Sequence, residues 1–251
     1  MSTAARNSGG FTEVDTDSVL LVIPAHNEQA NIGIVLEDIR ACFPARVVVV
    51  DDASQDATAD IARAAGVQVI PLASQLGAWG AIQAGLRYAK RHGYEYVVTM
   101  DADAQHEARW IPALLEPLLM AEADVAVGAY TLRGSILRKI AWYCIRKVSG
   151  LSLDDITSGF RAYNRASIEA LAGWRASAYE YQDVGVLMLL AGRNLKVLDV
   201  PVSMKQRAYG KSRIFHSWLA VAYYMFHTLL LGFSKRKLLW SRRPVKPEYD
   251  L

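Results

Sequence analysis

The chain of 251 residues contains only two cysteines, Cys42 and Cys144, and neither belongs to a Cys-x-x-Cys pair or a cysteine–histidine metal motif. These absences exclude a disulfide framework and a zinc site, and they favour a reducing compartment such as the cytoplasm. The first 18 residues lack a long apolar stretch, so no secretory signal is predicted. We expect residues 1–18 to form a disordered tail.

Glycine is missing from the turn where many nucleotide-binding folds require it. The first apolar segment is followed by Pro24-Ala-His26-Asn-Glu28, and no Gly-x-x-x-x-Gly-Lys-Ser/Thr sequence occurs in the chain. A dinucleotide-binding fold needs a glycine-rich turn after the first strand, and a P-loop needs the Gly-x-x-x-x-Gly-Lys-Ser/Thr sequence. A nicotinamide-dependent oxidoreductase and a P-loop nucleotidase are therefore disfavoured.

Acidic residues are absent from residues 205–243, which contain nine lysines and arginines. The whole chain carries a formal net charge of only +3, which does not indicate nucleic acid as a partner. A one-sided basic end predicts contact with phosphate groups or with an anionic membrane surface. Arg207 and Lys211 are candidates for clamping a diphosphate, and a solvated basic loop is the alternative.

Charged residues are also missing from residues 214–234. The length and the basic flanks of this segment fit a helix that lies on the membrane interface or under other protein, and they also fit a single span. Residues 134–150 mix basic and aromatic side chains and are a second candidate interfacial helix. We expect peripheral association with the cytoplasmic membrane face, with a single span as the alternative.

Apolar runs alternate with helical periodicities along the chain. This alternation predicts an α/β fold with a mostly parallel sheet and helices on both faces, and residues 154–164 are interpreted as a loop. Strands are predicted at residues 19–24, 47–50, 67–70, 96–100, 125–127 and 195–202. Helices are predicted at residues 28–42, 56–65, 78–91, 110–120, 165–172 and 180–191.

Two carboxylates, Asp101 and Asp103, follow the fourth predicted strand. Ligands of open α/β sheets bind at the carboxyl ends of the strands. Mg²⁺ and Mn²⁺ typically take one or two carboxylates together with phosphate oxygens of a substrate. A divalent-metal site that neutralises a diphosphate is therefore one interpretation, and a polar turn is the other.

Other polar groups follow neighbouring elements. The Asp51-Asp52 pair ends the second predicted strand and suits hydrogen bonds from a base or a ribose, whereas a simple strand-end turn is the alternative. Gly77 and Gly80 open a helix whose N-terminus favours anions, although such glycines also occur in ordinary loops. Glu180 and Asp183 share one helical face; either one is a candidate general base, and a solvated face is the alternative.

Six segments in this order resemble the family 2 glycosyltransferases with the GT-A fold. They are Pro24-Ala-His-Asn-Glu28, Val50-Asp-Asp-Ala-Ser54, Asp101-Ala-Asp-Ala-Gln-His106, Thr157-Ser-Gly-Phe-Arg161, Val200-Pro-Val202 and Arg207 to Lys211-Ser212. The last four most resemble the dolichyl- or polyprenyl-phosphate mannosyl- and glucosyltransferase branch. The resemblance covers roughly residues 19–215. Ala53, Trp79 and Glu107 depart from the commoner family pattern.

The resemblance implies a role for each set of residues. Asp101, Asp103 and Gln105 would hold Mg²⁺ or Mn²⁺, and Arg138, Ser158 and Arg161 would contact the acceptor. The catalytic candidates are Asp103, Arg161, Glu180 and Asp183. Contacts with the nucleoside diphosphate sugar are implied for Pro24, His26, Glu28, Asp51, Asp52, Ser54, Gly77, Gly80, Asp101, Ala102, Arg207 and Lys211.

The implied activity is a metal-dependent, inverting transfer of a hexose from a donor of the GDP-mannose or UDP-glucose type to a polyprenyl or dolichyl phosphate. Transfer to a saccharide hydroxyl in cell-surface polysaccharide synthesis and a non-catalytic nucleotide-sugar-binding scaffold are the alternatives. A catalytic domain is expected over residues 19–213, followed by a hydrophobic helix and a basic tail over residues 214–251. A membrane surface and a small membrane protein are the expected partners besides the substrates.

Overall fold

The computed structural model describes residues 14–130, 158–178 and 184–205. Seven strands form one sheet in the order β3-β2-β1-β4-β6-β5-β7. All neighbouring strands are parallel except where β6 pairs with β4 and β5. The strands are β1 (Val19–Ala25), β2 (Arg46–Asp51), β3 (Gln68–Pro71), β4 (Tyr96–Thr99), β5 (Val125–Ala129), β6 (Arg161–Tyr163) and β7 (Val197–Pro201). The expected α/β fold with a mostly parallel sheet is confirmed.

The helices cover both faces of this sheet. One core cluster joins the α1 and α4 side chains to Leu21, Ile23 and Val49, and the other joins the α3 and α5 side chains to Leu20, Val22 and Val48. Alternate residues of one strand thus enter different cores, which explains why the four valines of β2 form an unbroken apolar run. The helices are α1 (Ile32–Cys42), α2 (Thr58–Ala64), α3 (Gly77–His92), α4 (Ile111–Leu119), α5 (Arg165–Ala172) and α6 (Val184–Gly192).

Strand β6 was not predicted, and the interpretation of residues 154–164 as a loop was wrong at this point. Its three residues insert antiparallel between β4 and β5, with Arg161 opposite Thr99 on one side and Val127 on the other. Because β6 runs against its neighbours, residues 158–160 that precede it lie at the carboxyl edge of the parallel strands. Ser158 and Gly159 are thereby brought to the edge of the sheet where the site is predicted.

The last residues of the predicted N-terminal tail are ordered. Thr16–Ser18 forms a short 3-10 turn that is capped by the Asp15 carboxylate, and the Ser18 carbonyl accepts a hydrogen bond from the Glu95 amide. The proposed interfacial helix at 134–150 and the segment at 214–251 lie outside the described residues. Within the part of the chain that is described, no helix combines the length and apolarity that crossing a membrane requires.

Helix α3 packs so closely on β1 that its position 85 has no space for a side chain. A Cβ on Gly85 would fall 2.3 Å from Val22 Cγ1, whereas one on Gly33 of α1 would meet only Ile61 Cγ2 at 3.8 Å. We expect Gly85→Ala to lower the free energy of unfolding by about 1–3 kcal/mol through overpacking. Gly33→Ala is expected to raise it by about 0.4–1 kcal/mol, because alanine restricts the unfolded chain.

Urea unfolding of the two alanine variants checks this prediction, because each introduces the same methyl group into a helix. A similar change in both variants would contradict the close approach of α3 to β1.

Candidate active site

Polar residues converge where β1, β2 and β4 end. The three loops that follow these strands start at His26, Asp52 and Met100, and the strands lie side by side in the sheet. Each loop contains one non-glycine residue with left-handed backbone: Asn27 with φ 55°, Ala53 with φ 56° and Ala104 with φ 61°. Such conformations are unfavourable for residues with a Cβ and cluster at functional sites in proteins.

The loops after β1 and β2 are joined by hydrogen bonds. The Asn27 amide N–H donates to Ser54 Oγ at 3.0 Å, and the Gln55 N–H donates to Asn27 Oδ1 at 2.8 Å. The Glu28 N–H donates to Thr58 Oγ1 at 2.8 Å. Predicted donor-site residues from both loops, Glu28 and Ser54 among them, are therefore held as one unit.

His26 belongs to the same network. Its Nδ1 lies 2.6 Å from the Asp52 carbonyl oxygen, and its Nε2 lies 3.1 Å from Asn27 Nδ2. A carbonyl only accepts and an amide nitrogen only donates, so these partners assign the proton to Nδ1 and leave Nε2 as an acceptor. His26 thus fixes the start of the β2 loop in addition to its predicted position near the base. Pro24, two residues earlier in β1, is half-buried.

The two carboxylates of the Asp51-Asp52 pair have different surroundings. Asp52 Oδ1 accepts from the Leu76 N–H at 2.6 Å, and its Oδ2 accepts from the Gly77 N–H at 2.9 Å. The buried Asp51 Oδ1 has no hydrogen-bond partner among the residues that the structure describes. Asp52 therefore fixes the loop that opens α3, while Asp51 Oδ1 is a buried acceptor without a described partner.

The turn that opens α3 contains the predicted Gly77 and Gly80. Gly77 has φ +79°, a left-handed conformation that favours glycine. Trp79 does not enter the site: its ring is buried in the core under α3, and its Nε1–H donates to the Ala176 carbonyl at 2.8 Å. This departure from the family pattern is thus explained by packing.

The candidate metal loop places its two carboxylates differently. The Asp101 side chain is 41% exposed, whereas residue Asp103 is only 6% exposed, with its Oδ1 accepting from the Gln105 N–H at 3.1 Å. Ala102 between them is buried in the core, so only its backbone can contact a nucleotide sugar. The loop therefore presents one partly exposed carboxylate and one buried carboxylate.

The Asp101 and Asp103 carboxylates fit a hard divalent cation that is bound jointly with a phosphate. Among the described residues, no group of three or more histidine, cysteine, aspartate or glutamate side chains could hold a metal by itself. Mg²⁺ and Mn²⁺ do not need such a group, because one or two carboxylates and substrate phosphates complete their shell. The Asp101 carboxylate also occupies the space next to Gly159. A Cβ added to Gly159 would lie 2.5 Å from Asp101 Oδ1.

A second segment is fastened to the metal loop. His106 and Met204 form an antiparallel bridge, the Lys205 N–H donates to the Gln105 carbonyl at 2.8 Å, and Gln105 Nε2 donates to the Lys205 carbonyl at 3.5 Å. The chain that follows β7 is thereby anchored beside Asp103.

Glu107 strengthens this anchor. Its Oε1 accepts from Ser203 Oγ at 2.8 Å and from Arg109 Nη2 at 3.0 Å, and Trp110 Nε1 donates to the same Ser203 oxygen at 3.0 Å. Burial alone would raise the pKa of Glu107, but the hydrogen bond from Ser203 and the charge of Arg109 outweigh it and lower the pKa below its usual 4.5. The residue that replaces the commoner proline thus has a structural role.

The sign of this pKa shift gives a testable pH dependence. Because the folded protein has the lower pKa, the ionised Glu107 stabilises it above pH 4.5, and this contribution disappears as the pH falls through the folded-state pKa. We expect Glu107→Gln to lower the free energy of unfolding by about 1–2 kcal/mol at pH 7. The difference from wild type should shrink toward pH 4 in chemical unfolding, and a difference independent of pH would contradict this assignment.

Arg161 is placed in a way that its predicted role did not anticipate. It is fully buried in β6, and its Nε donates to the Ser158 carbonyl at 2.8 Å. Ser158 is also buried, and its Oγ accepts from the Phe160 N–H at 3.3 Å. In this structure neither side chain is open to an incoming phosphate. Their role in binding the acceptor substrate stays a prediction.

Several predicted residues lie outside the described residues: Arg138, Glu180, Asp183, Arg207 and Lys211. Conversely, the structure adds Gly159, Glu107 and Ser203 to the surroundings of the metal loop. Glu107 carried a sequence signal, because it departs from the family pattern. Gly159 lies within the Thr157 to Arg161 motif, but its approach to Asp101 could not be predicted because it depends on the unpredicted strand β6.

Comparison with known proteins identifies the family of the chain. The family model described as glycosyl transferase family 2 matches residues 20–171. The undecaprenyl-phosphate mannosyltransferase of Micrococcus luteus is 33% identical, over 78% of this chain and 87% of its own length. The polyprenol monophosphomannose synthase of Mycolicibacterium smegmatis is 29% identical, over 79% of this chain and 82% of its own.

A solved structure shows the same fold. Glucosyl-3-phosphoglycerate synthase from Mycobacterium tuberculosis, crystallised with Mn²⁺, uridine diphosphate and phosphoglyceric acid, superimposes with a TM-score of 0.65 at 21% identity. The match covers 90% of this chain and 78% of that one. The sequence matches and the fold agree: the chain belongs to glycosyl transferase family 2 and has the GT-A fold.

Proposed function

We propose that this glycosyltransferase moves a hexose, with inversion, from a nucleoside diphosphate sugar to a polyprenyl phosphate. The observation that carries the proposal is the pair Asp101 and Asp103 at the carboxyl edge, next to the loops that contain Asp52 and Glu28. Two relatives that match most of the chain are, by their names, a mannosyltransferase of undecaprenyl phosphate and a polyprenol monophosphomannose synthase.

Asp101 and Asp103 are the residues that would hold Mg²⁺ or Mn²⁺. A cation bound there offsets the negative charge that develops on the leaving diphosphate. The Gln105 N–H donates to Asp103 and fixes its orientation, and the Lys205 backbone bonds hold Gln105 in turn. The carboxylates are therefore preorganised, which is the main requirement for electrostatic stabilisation of a transition state.

The charge of the proposed acceptor, a polyprenyl phosphate, determines which residues the reaction needs. A phosphate monoester is ionised at neutral pH, so its oxygen can attack the anomeric carbon without a strong general base. Two anions must then be held together, and lysine or arginine side chains are required. Arg207 and Lys211 are the proposed phosphate ligands, with Arg138 as the other candidate, and all three lie outside the described residues.

The donor is proposed to be a mannose or glucose nucleotide. Two relatives are named for mannose transfer, which favours GDP-mannose as the donor. The structural relative was crystallised with uridine diphosphate, so UDP-glucose is the second candidate donor. The Asp51 Oδ1 acceptor and the loops fixed by His26 suit a base N–H or ribose hydroxyl in either nucleotide. The membrane surface that presents the lipid, with or without a small membrane protein, is the proposed location.

Transfer assays test the proposal directly. The full chain is incubated with radiolabelled GDP-mannose or UDP-glucose, undecaprenyl phosphate and Mn²⁺, and label is counted in the organic phase. We expect organic-phase label from one donor, and its loss when a chelator is added. Label that stays aqueous while a saccharide acceptor is glycosylated would contradict the lipid acceptor and make Glu180 and Asp183 the base candidates. Nucleotide binding without any transfer would favour the scaffold alternative.

A further inference from the structure

The partly exposed Asp101 carboxylate of the metal loop lies against the backbone of residue 159. A Cβ on Gly159 would lie 2.5 Å from Asp101 Oδ1, 2.7 Å from Oδ2 and 2.9 Å from Cγ. All three distances are shorter than real Cβ contacts, so any larger residue at position 159 would have to displace the carboxylate or the backbone. Positive φ does not explain this glycine, because the described glycines with positive φ are Gly66, Gly77 and Gly93. The requirement is for space next to Asp101.

The backbone around Gly159 is itself held in place. Its carbonyl accepts a hydrogen bond from the buried Thr99 Oγ1 at 2.8 Å. The next carbonyl, that of Phe160, accepts from the Gly128 N–H at 2.8 Å, and Phe160 is fully buried. Moving this segment would break bonds to both β4 and β5. An added methyl group would therefore move the Asp101 side chain, which is 41% exposed.

His106 contacts Asp101 as well. Its Nδ1 accepts from the Asp101 N–H at 3.1 Å, and its Nε2 lies 3.8 Å from Asp101 Oδ2. The buried ring stacks on Phe160, with centroids 5.0 Å apart and planes inclined by 15°. Phe160 adjoins Gly159 in the chain, so the histidine and the glycine are fastened to the same segment before β6.

We infer that Gly159 is a positioning residue: the absence of a side chain there lets the Asp101 carboxylate take the orientation in which it binds the divalent cation. This inference rests on the proposed function, since it assigns a role toward the cation of that site. Residues that orient metal ligands typically change metal affinity 10–100-fold when mutated. We therefore expect Gly159→Ala to weaken Mn²⁺ binding by about 10–100-fold.

The test measures Mn²⁺ binding by electron paramagnetic resonance, on the full chain with GDP and separately with UDP. Gly128→Ala is the matched control, because its Cβ would meet Phe160 and Val202 at 3.2 Å and disturb the same segment without contacting Asp101. The expected result is weaker Mn²⁺ binding in Gly159→Ala alone. Equal loss in both variants, or wild-type affinity in Gly159→Ala, would overturn the inference.

A double-mutant cycle keeps the inference testable if Gly159→Ala is poorly folded. Removing the carboxylate with Asp101→Ala removes the clash, so adding Gly159→Ala should then shift the unfolding temperature much less than it does in wild type. Equal shifts in both backgrounds would overturn the direct contact. Absence of Mn²⁺ binding by wild type with either nucleotide would instead overturn the metal site, and with it both proposals. Wild-type binding without any transfer would contradict only the proposed activity.

Discussion

Replacement of Asp103 by alanine is expected to lower kcat/KM for hexose transfer by about 10³-fold or more, since several kcal/mol of charge stabilisation are lost and each 1.4 kcal/mol is about tenfold. Asp103 is buried at the metal loop. The fold should persist, because Asp103 lies in the loop after β4 and belongs to neither core cluster. Losing the hydrogen bond from the Gln105 N–H to the carboxylate costs about 1.5–3 kcal/mol.

The control for Asp103→Ala is Asp60→Ala. Asp60 is an exposed residue of α2 that pairs with Arg63 three residues later, and exposed pairs of this kind contribute little to stability. Transfer rates, stimulation by Mn²⁺ and far-ultraviolet circular dichroism are measured for both variants. Wild-type turnover in Asp103→Ala would remove Asp103 from the mechanism, and unfolding of that variant would make its inactivity uninformative about metal binding.

The sequence predicts the parallel part of the fold because its elements carry local patterns. The valine run ending at Val50 predicts β2, since a strand buried on both faces has no polar positions. The spacing of apolar residues predicts α1 and α3 in the same way. Asp101 and Asp51 follow such runs, so their place at the carboxyl edge could be predicted before any coordinates.

Strand β6 has no comparable pattern. It is three residues long, it includes a charged side chain, and it is held by partners about sixty positions away, such as Thr99 with the Gly159 carbonyl. Without β6, the sequence could not show that Gly159 meets Asp101 or that Arg161 is buried. The residues around the metal loop were therefore predictable from motifs, whereas the residues that orient them depend on non-local pairing.

The different roles of Asp51 and Asp52 were also beyond sequence analysis. Successive residues at a strand end point to opposite faces of the sheet. Asp52 therefore reaches the start of α3, while Asp51 points to the other side. A motif identifies the acidic pair but does not show which carboxylate is already used by the protein.

Asp52→Ala is expected to lower the free energy of unfolding by about 2–4 kcal/mol, because two backbone N–H groups lose hydrogen bonds to a carboxylate. These donors belong to Leu76 and Gly77, so the start of α3 should loosen and transfer should fall with stability.

Asp51→Ala should change the free energy of unfolding by less than about 1 kcal/mol, since its buried Oδ1 has no partner among the described residues. Nucleotide affinity should nevertheless fall about tenfold, the effect of one lost hydrogen bond of about 1.4 kcal/mol.

Chemical unfolding and nucleotide binding, measured on both variants, separate the two roles. Asp52→Asn is the conservative control: it keeps one acceptor oxygen for the Leu76 or Gly77 N–H and should recover part of the stability, whereas an asparagine at position 51 has no such bond to restore. The opposite pattern, with stability lost in Asp51→Ala and affinity lost in a stable Asp52→Ala, would assign the nucleotide contact to Asp52. It would also require the α3 turn to hold its position after the Leu76 and Gly77 N–H groups have lost their hydrogen bonds to the carboxylate.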